Sequence, residues 1–530
     1  MHVAGLEKNS DVDVRPFTVL PLTTADRLDR CDVGLVSMLP DDVLLRIFDY
    51  CADEHEVIKE EIEVWWQTLV HVCRQWRGVV FGSPRRLNLR LVYEPNTPAR
   101  DTLDVWPALP LVIQCFSGIG IENVDNIVAV LEHSNRVCRI NLLKVSRSDF
   151  ENISTAMQAP FSELTHLWVT SNDETVPVLS ESFLGGSGPR LRFISFLGIP
   201  FPGLPKLLLS TTHLVDLRLY DIPHSGYFLP EMMVTVLSTL TSLQFLWLGF
   251  ESPRSCPDQA TRRPPRPTRL VLPVLKWFSF KGVGEYLEDF VAQIDAPRLS
   301  RLYITFFNQI VFDTPQVVQF ISRTSTLILP GNARVIFDTG ATRVELASRE
   351  TGYKSLEVNI PCKELDWQIS ALEQICTLCL PPLSILEDLY ISEHGTWQPH
   401  WQDNIENTLW LELLHPFTGV RNLYLSEEFA RRIVPALKEL VEGRMTGVLP
   451  TLQNIFLQGP EPSGPVQEGI EQFVATRQVT SHPVAVSRWD RSCPSDSDSL
   501  SDSDWTDSDR RKDKVSRGRR LMNALRLLPR

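Results

Sequence analysis

Apolar residues recur along this chain with two rhythms. The first is helical. In SMLPDDVLLRIF, residues 37–48, Val43, Leu44, Leu45, Ile47 and Phe48 are apolar and follow a Pro and two acids. Pro40 suits a first helical turn, and Asp41 and Asp42 lie at the positive end of the macrodipole. At about 100° per residue the five side chains cover more than half the helix circumference, with Arg46 the polar exception. After a polar gap, Leu69, Val72, Cys73, Trp76, Val79 and Val80 fall on one continuous helical face, flanked by Arg74 and Arg77 and stopped by Gly82 and Pro84. A module of about fifty residues is too small to enclose both sides of the first helix. The uncovered side needs another protein or the rest of the chain.

The second rhythm is the phrase L-x-x-L-x-L. It occurs at Leu164/Leu167/Val169, Leu191/Ile194/Phe196, Leu214/Leu217/Leu219, Leu243/Leu246/Leu248, Leu275/Phe278/Phe280 and Leu299/Leu302/Ile304. Later copies are Leu386/Leu389/Ile391, Val420/Leu423/Leu425 and Leu452/Ile455/Leu457, and Val137/Ile140/Leu142 is a plausible first one. TSTLIL (324–329) and YKSLEV (353–358) would fill the long gap after Leu299 as degenerate copies. Starts from 137 to 299 are 23 to 32 residues apart, the period of leucine-rich repeats. Alternating x-L-x-L predicts a short strand with one buried face, and stretches such as PEMMVTVLSTL, GEYLEDFVAQI and EEFARRIVPALKELVEG predict helices between strands. Strand, helix and parallel strand coil right-handedly, and because one copy cannot bury its own face the copies must stack. The expected fold is therefore α/β: an N-terminal all-α module, then a right-handed leucine-rich-repeat-like solenoid of short parallel strands alternating with helices. An ordinary α/β domain is the competing architecture.

Composition refines this division. The 530 residues are 43% hydrophobic, enough for a large core, and the net charge of −13 argues against nucleic acid as a partner. No apolar run is long enough to span a membrane, and the N-terminus reads as neither signal nor transit peptide. Ten scattered cysteines fit a reducing cytoplasmic or nuclear compartment. A flexible segment is expected over 1–36, the helical module over 37–84, connecting and irregular repeats over 85–136, the solenoid over 137–460 and a capping helix over 461–489. The last stretch, 490–530, reads as a disordered tail. Its SCPSDSDSLSDSDWTDSD run suits acid-directed phosphorylation, and the basic end that follows can pair with it. The Pro/Arg-rich run 253–269 reads as an exposed loop.

Leu39-Pro40-Asp41-Asp42-Val43-Leu44-Leu45-x-Ile47-Phe48 followed by Val72-Cys73-Arg74-x-Trp76-Arg77 resembles an F-box, with Asp42 at a usual Glu and a longer gap between the blocks. The whole resembles the expanded fungal-type F-box proteins with degenerate leucine-rich repeats. That resemblance implies docking on the Skp-type adaptor of a cullin–RING (SCF-type) ubiquitin ligase through Leu39, Pro40, Leu44, Ile47 and Phe48, with Trp76 structural. The protein would be a non-catalytic substrate receptor. The alternative is a repeat scaffold that recruits no ligase.

Target binding is expected on the strand positions that would line the concave face: Trp168, Arg218, Tyr220, Trp247, Arg301, Tyr303, Tyr390 and Tyr424, with Arg192, Lys276 and Lys281 beside them. Aromatic and Arg side chains supply interface energy at low entropy cost. No phosphate loop or nucleophile elbow occurs. Cys376-x-x-Cys379 lacks a second pair, and His394 and His400 lack an acidic motif, so no metal, cofactor or active site is expected.

Overall fold

The computed structural model describes residues 39–56, 65–115, 123–171, 173, 176–201, 206–253, 268–307, 312–327, 330–348, 354–394, 405–441, 447–459, 464–479 and 482–489. The tail after 490 and most of the Pro/Arg-rich loop lie outside these residues. The chain divides into two compact units, one through Leu89 and one from Arg90.

The first unit contains α1 (Asp41–Glu56), α2 (Trp65–Val70) and α3 (Arg74–Gly82). Helix α1 continues well past Phe48, through the expected polar gap. The single helix expected around Trp76 is instead two. Cys73 has extended backbone and its Sγ caps α3 by accepting from the Trp76 N–H at 3.5 Å, while Arg77 Nε donates to Val70 O at 2.9 Å and closes the end of α2. The apolar spacing therefore breaks at the turn, leaving Val72 exposed. Inside the unit Phe48 meets Trp76 edge-on at 5.0 Å, and Trp66 meets Phe81 at 6.0 Å. Gln75 Nε2 donates to Leu39 O and Asp41 Oδ1, pinning the start of α1 to α3.

The second unit is a repeat array. Its strands are β1 (Leu91–Tyr93), β2 (Leu111–Cys115), β3 (Val137–Leu142), β4 (His166–Thr170), β5 (Phe193–Leu197), β6 (Asp216–Ile222), β7 (Phe245–Phe250), β8 (Leu270–Val271), β9 (Trp277–Gly282), β10 (Ile294–Asp295) and β11 (Arg301–Phe306). They continue with β12 (Pro330–Phe337), β13 (Ala341–Ser348), β14 (Lys354–Pro361), β15 (Asp388–Glu393), β16 (Asn422–Leu425), β17 (Asn454–Leu457) and β18 (Ala485–Arg488). All but β8 and β10, which pair with each other, join one sheet of 16 strands. From β1 to β11 and from β15 to β18 every pairing is parallel. This is a leucine-rich-repeat-like array.

The phrase residues form its interior. Ile140, Leu167, Ile194, Leu217, Leu246, Phe278 and Leu302 stand opposite one another on successive strands, and all are essentially inaccessible. Helices such as Pro230–Leu237 and Pro315–Arg323 carry the chain to the next strand, each with Pro in its first turn.

Between β11 and β15 the parallel order breaks. The neighbours run β11-β14-β13-β12-β15, with β13 antiparallel to both its partners. A tight turn at Asp338–Gly340 allows this, because a hairpin needs only a few connecting residues and a parallel return needs a crossover of a dozen or more. Of the expected copy at 324–329, the described part is not a strand: Thr324 ends a helix and Ser325–Leu327 is a 3-10 turn, while 328–329 lie outside the described residues. The copy at 353–358 does fall on a strand, β14, but as part of this meander. The helix after β17, Pro465–Val479, leads into β18, so the segment expected as a capping helix over 461–489 also holds an edge strand.

Candidate binding face

Period-2 alternation sends the residues between the buried ones to the other side of the sheet. There Trp168, Ser195, Arg218, Trp247, Ser279 and Tyr303 stand opposite one another on β4 to β11. The row continues through Glu357, Glu345 and Arg334 in the meander to Tyr390, Tyr424 and Phe456. Six of the expected target-binding residues, Trp168, Arg218, Trp247, Tyr303, Tyr390 and Tyr424, thus share one line. Tyr220 and Arg301 lie one step away, two residues from Arg218 and Tyr303 on the same strands.

Contacts divide the row into two aromatic clusters. In the first, the Arg218 guanidinium lies 4.5 Å from the Trp247 ring and 5.3 Å from Phe193, held by two 3.0 Å hydrogen bonds to the Asp216 carboxylate. Burial pushes the Asp216 carboxyl above its ordinary value in spite of those bonds. Trp247 packs on Trp277 at 4.9 Å, Trp277 on Tyr303 at 5.0 Å, and Arg301 over Trp277 at 5.0 Å. In the second, Tyr390, Tyr424 and Phe456 stack almost parallel at 4.2 and 4.5 Å, with Arg334 at 5.8 Å from Tyr390 and Trp489 edge-on to both tyrosines. Trp277, Phe193, Phe456 and Trp489 were not among the expected residues. Trp277 and Phe456 sit at x positions of the phrase, so the alternation that selected Trp247 and Tyr424 also marks them.

Between the clusters lie two carboxylates. Glu345, nearly buried, pairs with Lys354 at 2.6 Å and Arg343 at 3.1 Å. Burial, then the adjacent Glu345, hold Glu357 above the ordinary carboxylate value. Burial, then Glu357, push Tyr303 up to about 12. At the carboxyl ends of β4–β9 a depression of 390 Å³ is lined by Ser171, Asp173, Gly198, Asp221, Glu251 and Lys281. Lys281 there pairs with Asp221 at 2.6 Å.

In the helical unit, Leu44 and Phe48 are fully enclosed and Ile47 is half-buried, while Val43 is 38% and Tyr50 56% exposed. Leu39 is half-buried and Pro40 exposed. The five residues expected to meet an adaptor therefore split: Leu39, Pro40 and Ile47 retain surface, and Leu44 and Phe48 fill the interior. Val43, Ile47 and Tyr50, at helical spacing, form the stripe that α1 leaves open.

Cys376 and Cys379 are buried thiols. Burial raises both, Cys379 to about 11, and Thr314 Oγ1 donates to the Cys379 sulfur at 2.9 Å. His394 is exposed, and His400 lies outside the described residues. Among the described residues no group of His, Cys, Asp and Glu is arranged to hold a metal ion, and no helix is long and apolar enough to cross a membrane.

No family model matches the chain, and no curated protein matches it. Among solved structures, the leucine-rich repeat-containing protein LegL7 from Legionella pneumophila is similar at 12% identity, with a TM-score of 0.25, over 72% of this chain and 97% of that one.

Proposed function

We propose that this protein is a non-catalytic substrate receptor of an SCF-type ubiquitin ligase. In this reading α1 docks on a Skp-type adaptor, the aromatic row of the sheet binds a target protein, and the work is done in the cytoplasm or nucleus. Holding a target lysine near the ubiquitin-charged enzyme accelerates transfer by effective concentration alone. The observation that carries the reading is the apolar stripe Val43–Ile47–Tyr50, left open beside an otherwise filled interior, with Val43 and Ile47 inside the F-box-like phrase. An apolar helix face in water is stabilised by a partner that covers it. On the sheet, large rings with Arg beside them, already ordered by their neighbours, suit a protein partner because little entropy is lost on binding.

Capture of a purified Skp-type adaptor by the full-length protein tests the first half. Ile47→Asp and Tyr50→Asp are expected to weaken capture by at least about tenfold, the effect of roughly 1.4 kcal/mol, with no change in the thermal transition. Wild-type protein that captures no adaptor would remove the ligase from the proposal.

The enclosure of Leu44 and Phe48 favours a second reading, a repeat scaffold whose helical unit is complete in itself. In that reading neither the wild-type protein nor Ile47→Asp captures the adaptor, and adaptor capture by the wild type would count against it.

A further inference from the structure

We propose that the amino-terminal end of the sheet face holds a phosphoryl-binding site built from Arg139, Arg192 and Arg90 around His166. On β3 and β4, Arg139 stands directly opposite His166, which in turn stands opposite Phe193 on β5. Arg192 immediately precedes Phe193, and Arg90 immediately precedes β1. The His166 ring stacks on Phe193 with centroids 6.0 Å apart, and its Nδ1 lies 2.9 Å from Thr165 Oγ1.

Two of these cations, Arg139 and Arg192, differ from the others on this face. Arg218 and Arg343 each have a carboxylate partner, and Arg301 and Arg334 each lie over an aromatic ring. Arg139 and Arg192 form no ion pair with any described acid, and the Arg139 Nε is closed off from water with no hydrogen-bond partner. The acids in the neighbourhood, Glu163 and Asp216, are engaged by Arg190 and Arg218. The concentration of positive charge is felt by His166: burial, then Arg139, Arg90 and Arg192, lower it to about 4. A guanidinium N–H shut away from water without a partner is costly, and in a chain of net charge −13 the compensating acids would be easy to supply. An oxyanion supplies what is missing. Guanidinium groups bind phosphoryl oxygens in pairs of charge-assisted hydrogen bonds, which a single carboxylate partner would pre-empt.

Trp168, two residues beyond His166 on the same face, begins the aromatic row, so a peptide anchored here by a phosphorylated side chain could continue along it. This deepens the target-binding half of the reading above and rests on it for the carrier. The anion site itself needs no adaptor.

Full-length protein titrated with inorganic phosphate, with an acidic peptide bearing one phosphoserine and with the same peptide unphosphorylated tests the site. The phosphopeptide is expected to bind at least about tenfold more tightly than its unphosphorylated form. Inorganic phosphate is expected to compete and to move the His166 ring titration upward, since a bound anion offsets the arginines. Arg139→Gln should weaken phosphopeptide binding by about tenfold and Arg139→Lys by less. Exposed Arg192→Gln repeats the loss without endangering the fold. Phosphate that binds while the phosphopeptide gains nothing supports the site with the free ion as its source. Equal binding of the two peptides together with an unmoved His166 titration overturns it. Adaptor capture unchanged in Arg139→Gln separates either result from failure of the ligase reading.

Discussion

Helix α1 and the strands of the sheet are comparably rich in apolar residues, yet they dispose of them differently. A strand such as β9 has a copy of itself on either side, so Phe278 is covered by Leu246 and Leu302 at the same register, and the helices complete the enclosure. Among the described residues, Asp49 of helix α1 pairs with Arg86 just beyond α3, and the helix packs against α2 and α3. They enclose Leu44 and Phe48 and leave Val43, Ile47 and Tyr50 in water. Repetition supplies its own cover and a small module does not. On the outer face of the sheet aromatic rings cover one another, and only where repetition stops, at the β18 edge, does Val486 stand 39% exposed in register with buried Ile455.

The sharpest break of this comparison is Phe278→Ala, which opens a cavity between two neighbouring repeats. It is expected to cost about 3–5 kcal/mol, read as a lowered denaturant midpoint for the sheet. Phe48→Ala removes the ring that packs on Trp76 and should cost about 3 kcal/mol. Its effect should remain local, with hydrogen exchange quickening in α1 and α3 and not in β4–β11. Exchange that quickens in both would contradict the division into two units.

His166 sharpens the comparison through pH. Its folded pKa, about 4, lies below the ordinary value of 6.5. The unfolded chain therefore takes up the proton first, and this contribution to stability is complete above 6.5 and is lost as pH falls toward 4. His166→Gln should show a smaller difference in urea midpoint between pH 7 and pH 4.5 than the wild type, while the helical unit responds identically in both. Tyr424→Ala takes the middle ring from the stack and should cost about 0.5–1.5 kcal/mol in ring contacts, with a larger loss in target binding. Val43→Ala should leave stability within about 0.5 kcal/mol, since that side chain already stands partly in water.

Legibility differed between the parts for physical reasons. The parallel strands that carry the phrase were readable because each buries the same pair two residues apart behind a leading apolar residue. The meander was not. Hairpins need no leading Leu and no helix, so β12 and β13 carry alternation without the phrase. The break at Cys73 was hidden because helical spacing on both sides of a short turn can coincide by chance. At the sheet face the residue types were legible strand by strand. That Tyr390, Tyr424 and Phe456 form one stack depends on register across repeats separated by about thirty residues. Likewise Glu288 reads as part of an ordinary helix, yet it accepts hydrogen bonds from the N–H groups of Gln316 and Val317 at the start of another.

The chain alone determined the unit and its inside: which residues alternate, which spacing returns them, and where apolar surface exceeds what a short helix can hide. Those are local properties, set by the periods of strand and helix. Tertiary structure decided which side of α1 remained open, the order β14-β13-β12, and the meeting of Arg139 with Arg192 around His166. Each depends on contacts between segments far apart in sequence, and nothing in a segment's own periodicity states which neighbour it will find.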